Sequence, residues 1–273
     1  MRSGFRPLRR FGQHFLKDRS VARRIVESMD IREGDHVLEI GPGEGVLTEF
    51  LMGSPAERII GIEIDHRLAS FLKKRFGHDR RFELIEKDFL KLTLAPLIRG
   101  GKKLRGIGNL PYSITTPILF RILDNRSRIQ DLTVTLQREV GERIASPPGS
   151  KKYGIPSVLF QVFSRVKILF ILSRNLFYPV PEVDSSVVQF RFFDRPLYDI
   201  EDVRFFCHLV RTVFGQRRKM LKNTLKKIVG DEEALGSVSV DLCQRPEVLS
   251  VGNFVQLSNE LRQRIDRRSR GRG

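Results

Sequence analysis

Cysteine is nearly absent from this 273-residue chain: Cys207 and Cys243 are the only two, and no Cys-x-x-Cys pair occurs. That excludes a disulfide framework and a cysteine-held zinc site. The five histidines, at 14, 36, 66, 78 and 208, lack ligand spacing as well, so no metal is expected. Long apolar runs are missing too. None approaches the roughly 20 residues needed to cross a bilayer, and no membrane partner is expected. No internal repeat occurs, and no low-complexity segment apart from an Arg-rich tail. Acids are the remaining shortage, with 32 Asp and Glu against 49 Lys and Arg, a net charge of +17. The shortage is local. Met1–Arg24 holds eight basic residues and one acid, Asp18; Arg204–Lys227 holds eight and none; Arg262–Arg272 holds six arginines and one acid, Asp266. Clustered positive charge attracts polyanions, and phosphate neutralisation with counterion release supplies much of the binding energy.

The chain is long enough for one α/β domain of roughly 200 residues plus a smaller module. Short β-branched runs at His36–Ile40, Arg58–Ile64, Phe82–Asp88, Leu104–Leu110, Asp131–Gln137, Arg165–Leu172 and Ser185–Phe193 predict seven strands. Helix-period stretches such as Val46–Met52, Arg67–Phe76 and Thr116–Leu123 lie between the first five, which predicts a mostly parallel sheet covered on both faces. The last two strands follow each other through Ser173–Asp184 without a helix, so they are expected as an antiparallel pair at the edge. Ligands of such sheets bind at the carboxyl ends of the strands. A boundary is expected near Asp194-Arg195-Pro196, dividing the chain into a domain over 1–193 with a basic N-terminal arm and a helical one over 194–273. In the second, Val203, Phe206, Val210 and Val213 give an apolar stripe beside the outward-facing basic residues Arg217, Arg218, Lys219 and Lys222. These four are the expected contacts to a nucleic-acid backbone. The Arg-rich first ten residues carry no acid, as in organelle transit segments, but are very short; a cytoplasmic protein is expected.

Three strand ends carry candidate ligand contacts. Val37-Leu38-Glu39-Ile40-Gly41-Pro42-Gly43-Glu44-Gly45 runs from a strand through a G-x-G-x-G loop into a helix. Glycine lets the backbone pass close to a ligand and expose N–H groups at the helix start. Glu63, 22 residues after Gly41, ends the second strand, where an acid accepts from both hydroxyls of a ribose. Asp65 is placed to cap the following helix. Asp88 ends the third strand, where it accepts from an adenine amino group or caps a turn. Together they point to an adenosine-containing cofactor. Gly108-Asn109-Leu110-Pro111-Tyr112 ends the fourth strand. An exocyclic adenine amine is a poor nucleophile because its lone pair is delocalised into the ring. The Asn109 side-chain oxygen and a backbone carbonyl near Pro111 can orient it, Pro111 fixes the turn, and Tyr112 offers a face to a flipped base.

Phe11-Gly12-Gln13-His14-Phe15-Leu16, Glu39–Gly45, Asn109–Pro117, Phe177–Ser185 and Arg245–Ser250 together resemble the KsgA-type family of ribosomal RNA adenine dimethyltransferases, in the family's order and over nearly the whole chain. The resemblance implies a Rossmann-like class I methyltransferase domain followed by a small all-helical one. It implies S-adenosylmethionine as cofactor, two adjacent adenines in the 3′-terminal hairpin loop of 16S-type small-subunit rRNA as substrate, and a pre-30S particle as partner; a monomer is the default expectation. By position, it implies cofactor contacts at His14, Leu16, Gly41, Gly43, Glu63, Asp88 and Asn109. Tyr112 and Phe177 would be the base-stacking aromatics. The family usually has Asn where this chain has His14. A large-subunit rRNA adenine methyltransferase shares the glycine loop and an Asn-x-Pro-Tyr motif, but the Tyr178–Asp184 loop, the Arg245–Ser250 segment and Leu110 favour the small-subunit enzyme. A non-catalytic pre-ribosomal assembly factor is disfavoured by the intact Asn109–Tyr112.

Overall fold

The computed structural model describes residues 5–8, 12–195, 197–229, 235 and 238–271, with side chains through Arg267 in the last helix. Met1–Gly4, Arg9–Phe11, Pro196 and the tail arginines beyond 267, all named above, lie outside that description. In chain order the described strands are β1 (Phe15–Leu16), β2 (His36–Ile40), β3 (Arg58–Glu63), β4 (Phe82–Glu86), β5 (Leu104–Asn109), β6 (Ile129–Gln137), β7 (Ser164–Leu172), β8 (Phe177–Tyr178) and β9 (Ser185–Phe192). The main sheet has the order β4-β3-β2-β5-β6-β9-β7, while β1 and β8 form a separate antiparallel pair. The five strands from β4 to β6 run parallel, and β9 runs antiparallel to β6. The expected seven strands are all present, and β9 and β7 are neighbours at one edge.

Helices α1 (Arg19–Glu27), α2 (Val46–Met52), α3 (His66–Phe76) and α4 (Thr115–Asp124) accompany the parallel strands. Covering both faces explains why β2 and β3 are buried at every position. Asp18 caps α1 by accepting from the Ser20 and Val21 N–H groups, and Asp65 caps α3 through the Arg67 N–H. The chain lays down β2, β3 and β4 in one direction, then returns to place β5 on the other side of β2. The sheet order reverses between β2 and β5, and there the connecting segments part to leave a crevice.

The chain divides into two compact units. One holds the described residues up to Gly141 with Lys167–Phe192; the other holds Glu142–Val166 and the described residues from Phe193 onward. The segment Glu142–Val166 therefore belongs with the C-terminal residues, whereas the sequence predicts it in the first domain. It contains the last three residues of α5 (Arg138–Ile144) and all of α6 (Ile155–Phe163). Six of the nine α6 residues are buried, so it is a core helix without the amphipathic period that marks a surface helix. Against it pack α7 (Val203–Gly215) and α9 (Val251–Gly271), and α8 (Leu221–Val229) packs on α7. Phe206, Leu209, Val210 and Val213 form the buried stripe of α7. Phe163 meets Phe206 edge-on at 6.4 Å, and Phe214 contacts both Tyr153 and Phe254. No helix of the described residues is long and apolar enough to cross a membrane.

Candidate active site

Four strand ends converge on one cleft of about 250 Å³. β2 delivers Gly41 and Gly43, β3 delivers Glu63 and Ile64, the turn after β4 delivers Asp88, and β5 delivers Asn109, Leu110 and Pro111. The segment around β1 adds Gln13, His14, Phe15 and Leu16. The expected cofactor residues His14, Leu16, Gly41, Gly43, Glu63, Asp88 and Asn109 thus line one cavity with Pro111, whereas Tyr112 and Phe177 do not line it.

Gly41 adopts φ +68°, and a Cβ there would meet no protein atom within 4 Å, so its open side is the cleft. Gly43, at φ +60°, lies against the Phe15 ring, where a Cβ would come within 3.2 Å. One expectation is not met. The N–H groups of Gly41, Gly43 and Gly45 are used inside the protein, on the Ile62 carbonyl, Glu63 and the Pro42 carbonyl. The loop therefore offers close approach rather than a row of donors, which suits a ligand without phosphates better than a pyrophosphate.

Glu63 is what holds the loop. One oxygen accepts from the Gly43 N–H at 3.0 Å, and the other accepts from the Ile64 and Asp65 N–H groups, each at 2.9 Å. Burial pushes its pKa up, opposed by those three hydrogen bonds. Each carboxylate oxygen offers about two acceptor positions, so one is left, on the oxygen that accepts from Gly43, for a ribose hydroxyl. Glu39 lies deeper. Burial, with the Glu63 charge adding, raises its pKa to about 8 against the Thr48 hydrogen bond. Thr48 Oγ1 donates to Glu39 Oε2 at 2.7 Å. Asp88 caps the short helix that follows by accepting from the Leu90 N–H at 2.9 Å, and it still lines the cleft.

Asn109 carries the most informative pattern. Its Nδ2 donates to the His14 carbonyl at 2.6 Å. A carbonyl can only accept, so this contact fixes which way the amide faces. Its Oδ1 is buried and has no hydrogen-bond partner. The Pro111 carbonyl, in contrast, already accepts from the Ile114 N–H and from Thr115 Oγ1.

The two aromatic expectations fare differently. Tyr112 is half-buried, its hydroxyl 2.6 Å from Ser185 Oγ, and burial raises its pKa. One ring face is stacked on His14 at 5.1 Å, leaving only the other for a base. Phe177 is wholly buried in the hydrophobic core. It pairs in register with Leu16, and strand alternation turns its ring inward and the next side chain outward. Phe177 thus presents no face to the cleft, which corrects its expected place. The exposed ring is Tyr178, at 56%. His14 Nδ1 lies 2.8 Å from the Pro179 carbonyl and so donates to it. In the neutral ring Nε2 is then an acceptor, so a donated ring contact to a cofactor requires the protonated form.

Arg217, Arg218 and Lys219 fall in the turn between α7 and α8, and Lys222 in the first turn of α8. Arg218 and Lys219 are exposed. Arg217 is half-buried, donates to the Ser150 carbonyl and pairs with Glu247 at 3.8 Å. Motif spacing did not reveal the lining roles of Phe15, Ile64 and Ile114, or Ser185 as the partner of Tyr112. Two-residue strands such as β1 and β8 are too short to leave a period in the sequence.

A family described as ribosomal RNA adenine dimethylase matches residues 4–263. The chain belongs to that family. As a member of the ribosomal RNA adenine dimethylase family it is an enzyme, a methyltransferase. It is 43% identical over 256 residues to the ribosomal RNA small subunit methyltransferase A of Pseudomonas aeruginosa, covering 94% of this chain and 95% of that one. It is 45% identical over 254 residues to the protein of the same name from Chlorobium phaeobacteroides, covering 93% of each. Among solved structures, a dimethyladenosine transferase from Plasmodium falciparum shares the fold, with TM-score 0.81 at 24% identity over 92% of this chain and 98% of that one. The 23S rRNA methyltransferase ErmE superposes with TM-score 0.69 at 26% identity, over 91% of this chain and 100% of that one.

Proposed function

We propose that this dimethylase uses S-adenosylmethionine to methylate N6 of two adjacent adenines in the 3′-terminal hairpin loop of 16S-type small-subunit rRNA. It would act as a cytoplasmic monomer on the maturing pre-30S particle. The observation that carries this reading is Asn109 Oδ1, a buried acceptor left unpaired at the end of β5 beside the cleft. A buried polar atom without a partner costs free energy, and an adenine amine would supply the missing donor. With the Pro111 carbonyl already occupied, the Leu110 carbonyl is the neighbouring acceptor for the second N–H. Two acceptors turn the nitrogen lone pair out of conjugation with the ring. Positioning then supplies most of the rate.

The cleft suits the cofactor. Gly41 leaves room for close approach, Glu63 retains one acceptor position for a ribose hydroxyl, and Asp88 stands one strand further on for an adenine amino group. Leu16 and His14 would close over it. When bound, S-adenosylmethionine supplies an electrophilic methyl on a sulfonium. No strong general base is required, because the amine can lose its proton after transfer; Tyr112, with its raised pKa, stays neutral. Tyr112 would hold the base on its uncovered face, with Tyr178 the exposed ring at the adjoining loop. Arg218 and Lys219, with Lys222 and Arg217, would contact rRNA backbone. Relatives named for the small subunit, at 43% and 45% identity, support that substrate over the large-subunit one.

The test is methyl transfer from labelled S-adenosylmethionine to immature 30S particles, 50S particles and free rRNA, with the products mapped by mass. Dimethyladenine in the 30S particle is expected. Label confined to 50S particles, or none anywhere, would overturn the assignment.

A further inference from the structure

At the amino end of the sheet, away from the cleft, the strands open on charged residues. His36 and Arg58 begin β2 and β3 and face each other in register. With Glu57, Arg80, Arg81, Glu83 and Arg99 they surround a second cavity, of about 220 Å³. A water molecule takes about 30 Å³, so this space holds several waters or one polyatomic ion.

The lining groups divide by what they already bind. Arg81 is structural, tied to Asp79 and to the carbonyls of Met52, Ser54 and Ala56. Arg58 is 7% exposed. Its Nη1 donates to the Leu97 carbonyl and its Nη2 to Glu83, each at 2.6 Å, but its Nε has no partner. His36 is 4% exposed; its Nε2 lies 3.6 Å from Glu57, and its Nδ1 has no partner. Glu57 is also bound by Lys102 at 2.6 Å, and Glu83 by Arg99 at 3.3 Å. Arg80 is exposed and makes no ion pair among the described residues. Four arginines against two glutamates leave the lining at 4 − 2 = +2 with His36 neutral.

An Arg Nε can only donate. A buried donor without an acceptor, in a cavity of net positive charge, calls for an anion with several acceptor oxygens. We propose that this cavity is a phosphate-binding site. Arg58 Nε is its buried donor, the His36 ring lines the wall beside it, and the Arg99 and Arg80 guanidinium groups close over the ion from the exposed side. Planar guanidinium groups match phosphate oxygens in pairs. The two glutamates do not repel the ion outright, because each is already neutralised by a cation: Glu57 by Lys102 and Glu83 by Arg58 and Arg99. The site owes nothing to methyl transfer and stands or falls separately from it. Its phosphate could be free or part of an RNA backbone.

The experiment titrates the full-length protein, with nitrogen-15 in its histidines, against inorganic phosphate, with sodium chloride at equal ionic strength as control. A saturable shift of the His36 Nδ1 resonance with phosphate, absent with chloride, is expected. The shift should need about tenfold more phosphate, a ΔΔG near 1.4 kcal/mol, in the double variant Arg80→Gln/Arg99→Gln. Both substitutions are at accessible guanidinium groups, and the His36 measurement on unaltered protein stands even if the variant misfolds. RNA binding then separates the sources. If the site holds backbone phosphate, the double variant flattens the salt dependence by roughly 0.7–0.9 per lost contact; if it holds free phosphate, that slope is unchanged. No saturable effect at His36, or the same effect in the double variant, would overturn the proposal.

Discussion

The two ends of the one sheet leave opposite things unpaired. At the carboxyl end, an acceptor, Asn109 Oδ1, is orphaned beside a cleft made of glycine turns and carboxylates. At the amino end the orphaned atoms include the donor Arg58 Nε, in a cavity ringed with arginine. A few residues from that cavity in the sheet, Arg105 shows what completed pairing looks like. All three of its nitrogens are bonded, to Asp131, to Asp35 and to the carbonyls of Met29 and Asp30. The contrast teaches that polarity and burial do not mark a site by themselves. Saturated polar groups such as Arg105 hold the fold, and an unsatisfied one points to a ligand only where it also lines a cavity, as Asn109 and Arg58 do.

The sharpest way to break this comparison is to cut the saturated network. Arg105→Met leaves Asp131 buried without its cation and should cost about 3–5 kcal/mol of unfolding free energy in urea. Ligand affinity of the protein that remains folded should be unchanged. A loss below about 1 kcal/mol, the range of exposed pairs, would show that the network is not what holds the amino end.

β8 gives a comparison within two residues. Phe177→Ala should cost about 3–5 kcal/mol of stability, as truncation of buried phenylalanine does. Tyr178→Ala, next along the strand but exposed, should leave stability within about 0.5 kcal/mol and weaken rRNA binding by about 1–3 kcal/mol. If Phe177→Ala weakened RNA binding without destabilising the fold, the ring would have to leave the core to meet a base.

Glu39 tests the electrostatics under the cleft. Its carboxyl titrates near 4.5 in the unfolded chain and at about 8 when folded, because burial disfavours the charge. The folded state holds this proton more tightly, so the stability it contributes is complete below 4.5 and is lost as pH rises toward 8. Glu39→Gln should remove that decline. Relative to the unaltered protein it should gain on the order of a few kcal/mol between the two ends of that window, measured by urea unfolding across pH. Parallel stability curves would mean that Glu39 is charged in the folded protein.

Much of the first unit was legible in the sequence, because parallel strands buried on both faces read as apolar runs and the ligand-facing acids end them. Gly41, Glu63, Asp88 and Asn109 were placed on one cleft by that rule alone. What escaped were features without a period. The β1 and β8 pair is two residues long, and it is the pairing of Phe177 with Leu16 that decides which aromatic is buried. Helix α6 is apolar on nearly every face, so it carried no stripe to assign it to the second unit. The glycine N–H groups were misplaced for a different reason: spacing shows where a loop turns, but not whether Glu63 has already taken its donors.

Asn109 bears most directly on the central claim, that an unpaired acceptor orients the target amine. Single-turnover methyl transfer to immature 30S particles should be measured for Asn109→Ala, alongside calorimetric affinity for S-adenosylmethionine. Turnover should fall by about 10²-fold or more, as when a single preorganised polar group is removed, while cofactor affinity changes much less. The monomethyl product should accumulate, because monomethyladenine retains only one N–H to be oriented. Dimethyladenine formed by Asn109→Ala at the unaltered rate would contradict the account.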